Sequence, residues 1–230
     1  MTFVAVHAQG PVTVVTIDRP PANAMDIALL DEVAAALEAL APSPPGAVVL
    51  TGRPGCFSAG ADLKAVPGYG PDERRAMVRG INRMAIAAYG LRCPMVAAVT
   101  GHAIAGGMVL ALCADYRIAA REGRYGLTEV QVGVPYPQAA LAVVRGELTP
   151  GAARSLALTG RLTDAEECAR LGIFDEVLAP DRVLERAWEM AAELAALPVD
   201  TYVRTKLGLR AAELEAMPAA AESDPLLAGS

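Results

Sequence analysis

Residues 98–113, AVTGHAIAGGMVLALC, constrain this fold more than any other stretch of the chain. They read as a short buried strand, a glycine-marked turn, and an apolar helix that opens at Gly106-Gly107. The first N–H groups of such a helix have no intrahelical acceptor and sit at the positive end of the backbone dipoles. An oxyanion could be held there without any cationic side chain. Two glycines also clear Cβ atoms from the approach path of a flat ligand group. Taken alone, the same residues also fit a tight connection whose glycines serve only packing.

The pattern occurs a second time. Ala47–Gly52 (AVVLTG) is a continuous apolar run suited to a strand buried on both faces. It leads into a small-residue loop, Arg53–Lys64, containing Ser58-Ala59-Gly60-Ala61-Asp62-Leu63. Pro71 then fits the first turn of a helix with Met77, Ile81, Met84, Ala85 and Ala88 on one face, closed by Gly90; this stripe reads as core or pocket wall. Two passes of strand, loop and helix point to successive turns of one spiral. A regular dinucleotide-binding alternation is disfavoured, because no Gly-x-Gly-x-x-Gly follows the first strand.

Around these passes, Phe3–Gln9 and Val12–Asp18 predict an antiparallel hairpin, and Asp26 an N-cap for the next helix. Tyr116–Ala120 predicts a strand, Pro137 to about Arg145 a helix, and Thr149-Pro150 the start of another that Gly160 ends. Thr163–Glu166 reads as a capping box and Phe174–Leu178 as a last strand. Asp181 is expected to cap a helix, and Met217–Ser230 to be frayed. The one boundary falls near Pro180, separating a core of residues 1–180 from a C-terminal helical region, 181–230.

Composition removes several functions. With 53% apolar but only 4% aromatic residues, the core must be built from Ala, Val and Leu. A net charge of −6 without a Lys/Arg cluster argues against nucleic acid as a partner. Cys56, Cys93, Cys113 and Cys168 lack paired metal-ligand spacing, so reduced thiols and no metal are expected. No apolar run approaches the ~18 residues of a membrane span, and the expectation is a cytoplasmic protein with no membrane partner.

Five segments in order carry a resemblance to the enoyl-CoA hydratase/isomerase (crotonase) superfamily: Thr16–Pro20 with Asn23–Met25, Cys56–Leu63, Val99–Gly107, Cys113–Ala119, and Gly172–Val177. The resemblance implies an α/β fold, a spiral of ββα units with a helical C-terminal region, assembled as a homotrimer or a dimer of trimers. It implies acyl-CoA thioesters as ligands, with coenzyme A part of the substrate and no separate cofactor. On this likeness Ala59 and Gly106 each supply an oxyanion-hole N–H. Ala24, Gly60, Ala61, Asp62, Leu63, Gly107 and Val109 are expected at the substrate. Arg19 and Lys64 are candidates for phosphate contacts, while His102 and Asp62 are read as structural. Relative to longer members the chain stops about one helix short, in a segment that the resemblance associates with CoA cover and trimer contacts.

The acid/base inventory selects among family reactions. Hydratases of the family place one glutamate three residues after the oxyanion glycine and a second in a later loop. Here the first position is Val109 and the second Glu129. Valine can neither orient nor deprotonate water, whereas moving a double bond from the 3,4 to the 2,3 position needs one base only. Δ3,Δ2-enoyl-CoA isomerisation in fatty acid metabolism is therefore expected, with Glu129 as proton shuttle. A weak or altered hydratase and a non-catalytic acyl-CoA binder are the alternatives, the latter suggested also by the Tyr136-Pro137-Gln138 departure from the hydratase loop.

Overall fold

A computed structural model describes residues 2–228. β1 (Val4–Gln9) and β2 (Val12–Ile17) form the expected antiparallel hairpin, followed by α1 (Ile27–Leu40). Asp26 caps α1 by accepting the Leu29 N–H at 2.9 Å. Three passes follow. β3 (Ala47–Thr51) and β4 (Gly55–Ser58) precede α2 (Pro71–Tyr89); β5 (Met95–Val99) and β6 (Gly101–Ile104) precede α3 (Gly106–Leu112); β7 (Tyr116–Ala120) and β8 (Tyr125–Gly126) precede α4 (Gln138–Glu147).

Each pass puts its first strand in one sheet and its second in another. The larger sheet has the order β1-β2-β3-β5-β7-β9, with β9 at Glu176–Leu178, and is parallel apart from the hairpin. The smaller, β4-β6-β8, is wholly parallel. Both are the spiral of ββα units. The segments 53–64 and 101–105, expected to be loop and turn, thus each contain a strand. β4 and β6 are four residues long, and their pairing partners lie in other turns of the spiral, so no local periodicity announces them.

The larger sheet is buried on both faces, as its continuous apolar strands require. Val48, Leu50, Ala97 and Val99 face the main core with α1–α4, while Ala47, Val49, Val96 and Ala98 face a second core. That second core is closed by α7 (Pro180–Ala195), which seats Val183, Ala187 and Ala191 against the sheet. Before it come α5 (Pro150–Ala153), which continues as a π-helical turn to Leu158, and α6 (Ala165–Arg170). The α6 cap lies one residue later than expected: Asp164, not Thr163, accepts the Glu167 N–H at 2.8 Å.

After α7, α8 (Val199–Leu209) and α9 (Ala211–Glu222) complete the chain. The expectation of a frayed end is corrected over the described residues. α9 runs through Pro218, Met217 is buried, and Asp224, only 2% exposed, accepts from Asn82 Nδ2 at 2.9 Å and the Gln138 N–H at 2.8 Å. Composition suggested fraying; these long-range partners hold the segment. Residues 229 and 230 lie outside the described part. All four cysteines are free and buried, and no helix among the described residues is long and apolar enough to cross a membrane.

Candidate active site

The site forms where the loop after β4 crosses the loop after β6. Asn23, fully buried, ties the early loop to β4 through Nδ2 donation to the carbonyls of Ile17 and Phe57 at 2.9 and 3.0 Å. Ser58 continues the lacing: its hydroxyl donates to the Asn23 carbonyl at 2.8 Å and accepts the Gly60 N–H at 3.2 Å. Gly60 has φ +77°, and a Cβ there would stand 2.7 Å from the Ile104 carbonyl oxygen and 3.3 Å from Gly106 N. Only glycine lets the two loops touch at this point. Gly107 is equally confined, since its Cβ would lie 2.4 Å from the Ser58 carbonyl oxygen.

This lacing bears directly on one expected oxyanion donor. The Ala59 N–H donates to the Ala22 carbonyl at 3.0 Å, so the expectation placed on Ala59 fails: its hydrogen is already used. Met25 pairs in parallel with Ala61, through Met25 N–H to the Gly60 carbonyl at 2.7 Å and Asp62 N–H to the Met25 carbonyl at 2.8 Å. In such a bridge the bonds to Met25 come from the residues flanking Ala61, which leaves the Ala61 N–H on the opposite side. Among the described residues the N–H groups of Ala61 and Gly106 have no acceptor, and both residues line one pocket.

That pocket is narrow, about 60 Å³, and its walls are almost wholly apolar. Met25, Ala61 and Gly106 form one side; Met77 and Ile81 from α2, Val109 from α3 and Ala140 from α4 form others. Glu129 enters because β8 pairs with β6 in the register Ala103↔Tyr125 and Ile104↔Gly126, which carries the chain past Gly106 into the 3₁₀ turn Glu129–Val132. Its side chain is buried, and Oε2 accepts the Tyr136 hydroxyl at 2.7 Å. Burial raises the Glu129 pKa above the ordinary glutamate value, opposed by the Tyr136 hydrogen bond and by its own backbone N–H. Burial and the neighbouring carboxylate push the Tyr136 phenol well up, so it stays a neutral donor.

The expected residues therefore separate. Ala61, Gly106, Val109 and Glu129 share the pocket, with Gly60 and Gly107 at the loop crossing behind it. Ala24, Asp62 and Leu63 do not line it. Leu63 is 61% exposed, and Asp62 accepts from Arg19 Nη1 at 3.0 Å and from the Lys64 N–H at 3.0 Å. Burial would raise the Asp62 pKa, but those donors and the Ala65 N–H bring it below the usual value. Arg19, a candidate phosphate contact, is occupied instead by Asp26, Asp62 and the Ala24 carbonyl. His102 is exposed and structural, its Nδ1 accepting the Arg124 N–H at 3.0 Å. Tyr136, Met25 and Ala140 were not expected as site residues. The only sequence signal was the unusual Tyr136-Pro137-Gln138 segment. No cluster of three His, Cys, Asp or Glu that could hold a metal occurs among the described residues.

A family profile described as enoyl-CoA hydratase/isomerase matches residues 7–227. The chain belongs to the enoyl-CoA hydratase/isomerase family. A probable enoyl-CoA hydratase of Rhizobium meliloti is 36% identical over 209 residues, covering 87% of this chain and 78% of its own length. The Mycobacterium tuberculosis protein EchA3 is described as a probable enoyl-CoA hydratase in one structure and as an enoyl-CoA isomerase in another. The first superposes with a TM-score of 0.89 at 32% identity, covering 96% of this chain and 93% of that one. Human mitochondrial Δ3-Δ2-enoyl-CoA isomerase superposes with a TM-score of 0.88 at 28% identity, covering 98% and 91%. Family membership makes this protein an enzyme of acyl-CoA chemistry, and the spiral fold is the one its relatives share.

Proposed function

We propose that the protein isomerises 3-enoyl-CoA to 2-enoyl-CoA, with Glu129 moving a proton from C2 to C4 and the Ala61 and Gly106 N–H groups holding the thioester oxygen. The observation that carries this reading is a solitary carboxylate in an otherwise uncharged pocket, which it shares with the buried Val109 where hydration would want a second acid. Glu129 takes the C2 proton; the electrons of that C–H bond delocalise onto the thioester oxygen as a dienolate. Two unpaired N–H groups aimed at that oxygen favour the charged intermediate over the neutral substrate, at roughly 3 kcal/mol per donor. Returning the proton at C4 leaves the double bond between C2 and C3. A carboxylate whose pKa is raised by a dry pocket is a stronger base than one in water, which suits abstraction beside a thioester.

The narrow pocket, about 60 Å³ and lined by Met77, Ile81 and Tyr136 beside Glu129, supports a preference for short acyl chains. Incubation with 3-enoyl-CoA thioesters of increasing length should generate the ultraviolet absorbance of the conjugated product, fastest for the shortest chains. Glu129→Gln should lower the rate by about 10² to 10⁴-fold, the usual contribution of a positioned base. Equal rates in the two proteins would remove Glu129 from the chemistry.

The hydratase names among the relatives support a second reading, addition of water to 2-enoyl-CoA. Loss of conjugation in that substrate at rates matching or exceeding isomerisation would establish it. Saturable acyl-CoA binding without turnover of either thioester would leave binding as the function.

A further inference from the structure

We infer that Tyr136 is a positioning residue for the proton shuttle: its phenol occupies Oε2 of Glu129 and leaves Oε1 as the oxygen that exchanges protons with the substrate. This rests on the reading of Glu129 as the base. The hydrogen bond is 2.7 Å, and Tyr136 and Glu129 line the same pocket. The walls contributed by α2, α3, α4 and the two crossing loops present no other titratable or charged side chain to Glu129. A carboxylate in such surroundings has few ways to satisfy its oxygens. The backbone N–H of Glu129 also reaches its carboxylate; with Oε2 held by a phenol that stays protonated, Oε1 is the oxygen that serves both C2 and C4.

The phenol is itself held in place. Tyr136 lies two residues before α4, whose first free N–H groups are taken by side chains from distant parts of the chain. Gln138 N–H donates to Asp224 at 2.8 Å, Ala139 N–H donates to Asn82 Oδ1 at 2.9 Å, and Asn82 Nδ2 donates to Asp224 at 2.9 Å. Capping of this kind fixes where the helix begins and so where the preceding tyrosine stands. The same hydrogen bond favours the ionised carboxylate, against the burial that disfavours it.

Tyr136→Phe keeps the ring and the pocket wall and removes only the hydroxyl. Hydrogen bonds to charged groups are worth enough for a ~10 to 100-fold effect, so kcat for 3-enoyl-CoA should fall within that range while KM changes little. The acid limb of kcat/KM should move to higher pH. In the ligand-free protein, carbon-13 detection of the Glu129 carboxyl should show its protonation midpoint displaced the same way, a readout independent of turnover. Unchanged kcat, or an unmoved carboxyl midpoint, would overturn the inference and leave Tyr136 as a wall residue. The two failures separate cleanly. Inactive Glu129→Gln beside a fully active Tyr136→Phe sinks only the positioning role, whereas a fully active Glu129→Gln sinks the isomerase reading itself.

Discussion

The two ends of α3 are built in opposite ways. At its start, the Gly106 N–H has no acceptor among the described residues and the nearby Glu129 has a phenol, not a cation, as its side-chain partner. At its end every charge is matched. Arg210 Nη1 donates to the Cys113 carbonyl at 3.1 Å and Nη2 to the Ala114 carbonyl at 3.3 Å, while Nη2 also pairs with Asp115 at 3.1 Å and Glu147 at 3.3 Å. Lys206 Nζ lies 2.9 Å from Asp115 and 2.8 Å from the Cys93 carbonyl, and the Arg210 guanidinium stacks over the Tyr89 ring at 4.2 Å. Burial lowers the Lys206 pKa, with Asp115 opposing it. Each kind of polar group has its own use. Paired charges at one end lock the helix to α8 and α9, and groups kept unpaired at the other remain available to a ligand.

Breaking the paired end should cost the most stability. Arg210→Ala leaves Asp115 with Lys206 and Glu147 with Arg117, but strips the Tyr89, Cys113 and Ala114 carbonyls of their donor, and buried acceptors left unsatisfied cost about 1–3 kcal/mol. The urea midpoint should drop accordingly at unchanged slope. A change below about 1 kcal/mol would show that the network is not what fastens α3.

Disturbing the open end should cost activity beyond any loss of stability. Gly107→Ala places a methyl group against the Ser58 carbonyl, so the loops must part and the spacing of the Ala61 and Gly106 N–H groups, the proposed oxyanion donors, changes. Loss of an oxyanion donor lowers kcat by about 10² to 10³-fold, measurable as isomerase rate per folded molecule. Retention of full rate would mean that the two N–H groups do not act together.

The smallest effect sharpens the contrast through pH. The folded-state pKa of Glu129 is raised above 4.5, so the folded protein binds its proton more tightly than the unfolded chain does. The stability attached to that proton is fully present below the unfolded value and is lost as pH rises through the folded one. Relative to Glu129→Gln, the wild type should therefore lose a little Tm between those two pH values and run parallel above them. A paired carboxylate would give the opposite slope.

Much of the architecture was legible in the sequence because its signals are local. Ala47–Thr51 and Met95–Val99 are unbroken apolar runs, as strands covered on both faces must be, and Asp26 and Pro71 mark helix starts by their own chemistry. Glu129 and Gly106 were legible through the resemblance, and Val109 through the missing acid. The remaining features depend on pairing between distant segments. Whether Ala59 or Ala61 keeps a free N–H depends on their pairing with Ala22 and Met25, more than thirty residues away in the chain. Tyr136 meets Glu129 because α4 starts where Asn82 and Asp224 receive its first N–H groups, and Asp224 itself looked like part of a loose tail. Local periodicity reports which faces are buried. It carries no record of which hydrogen-bonding groups are left over once distant segments have paired, and those remaining groups make up the site.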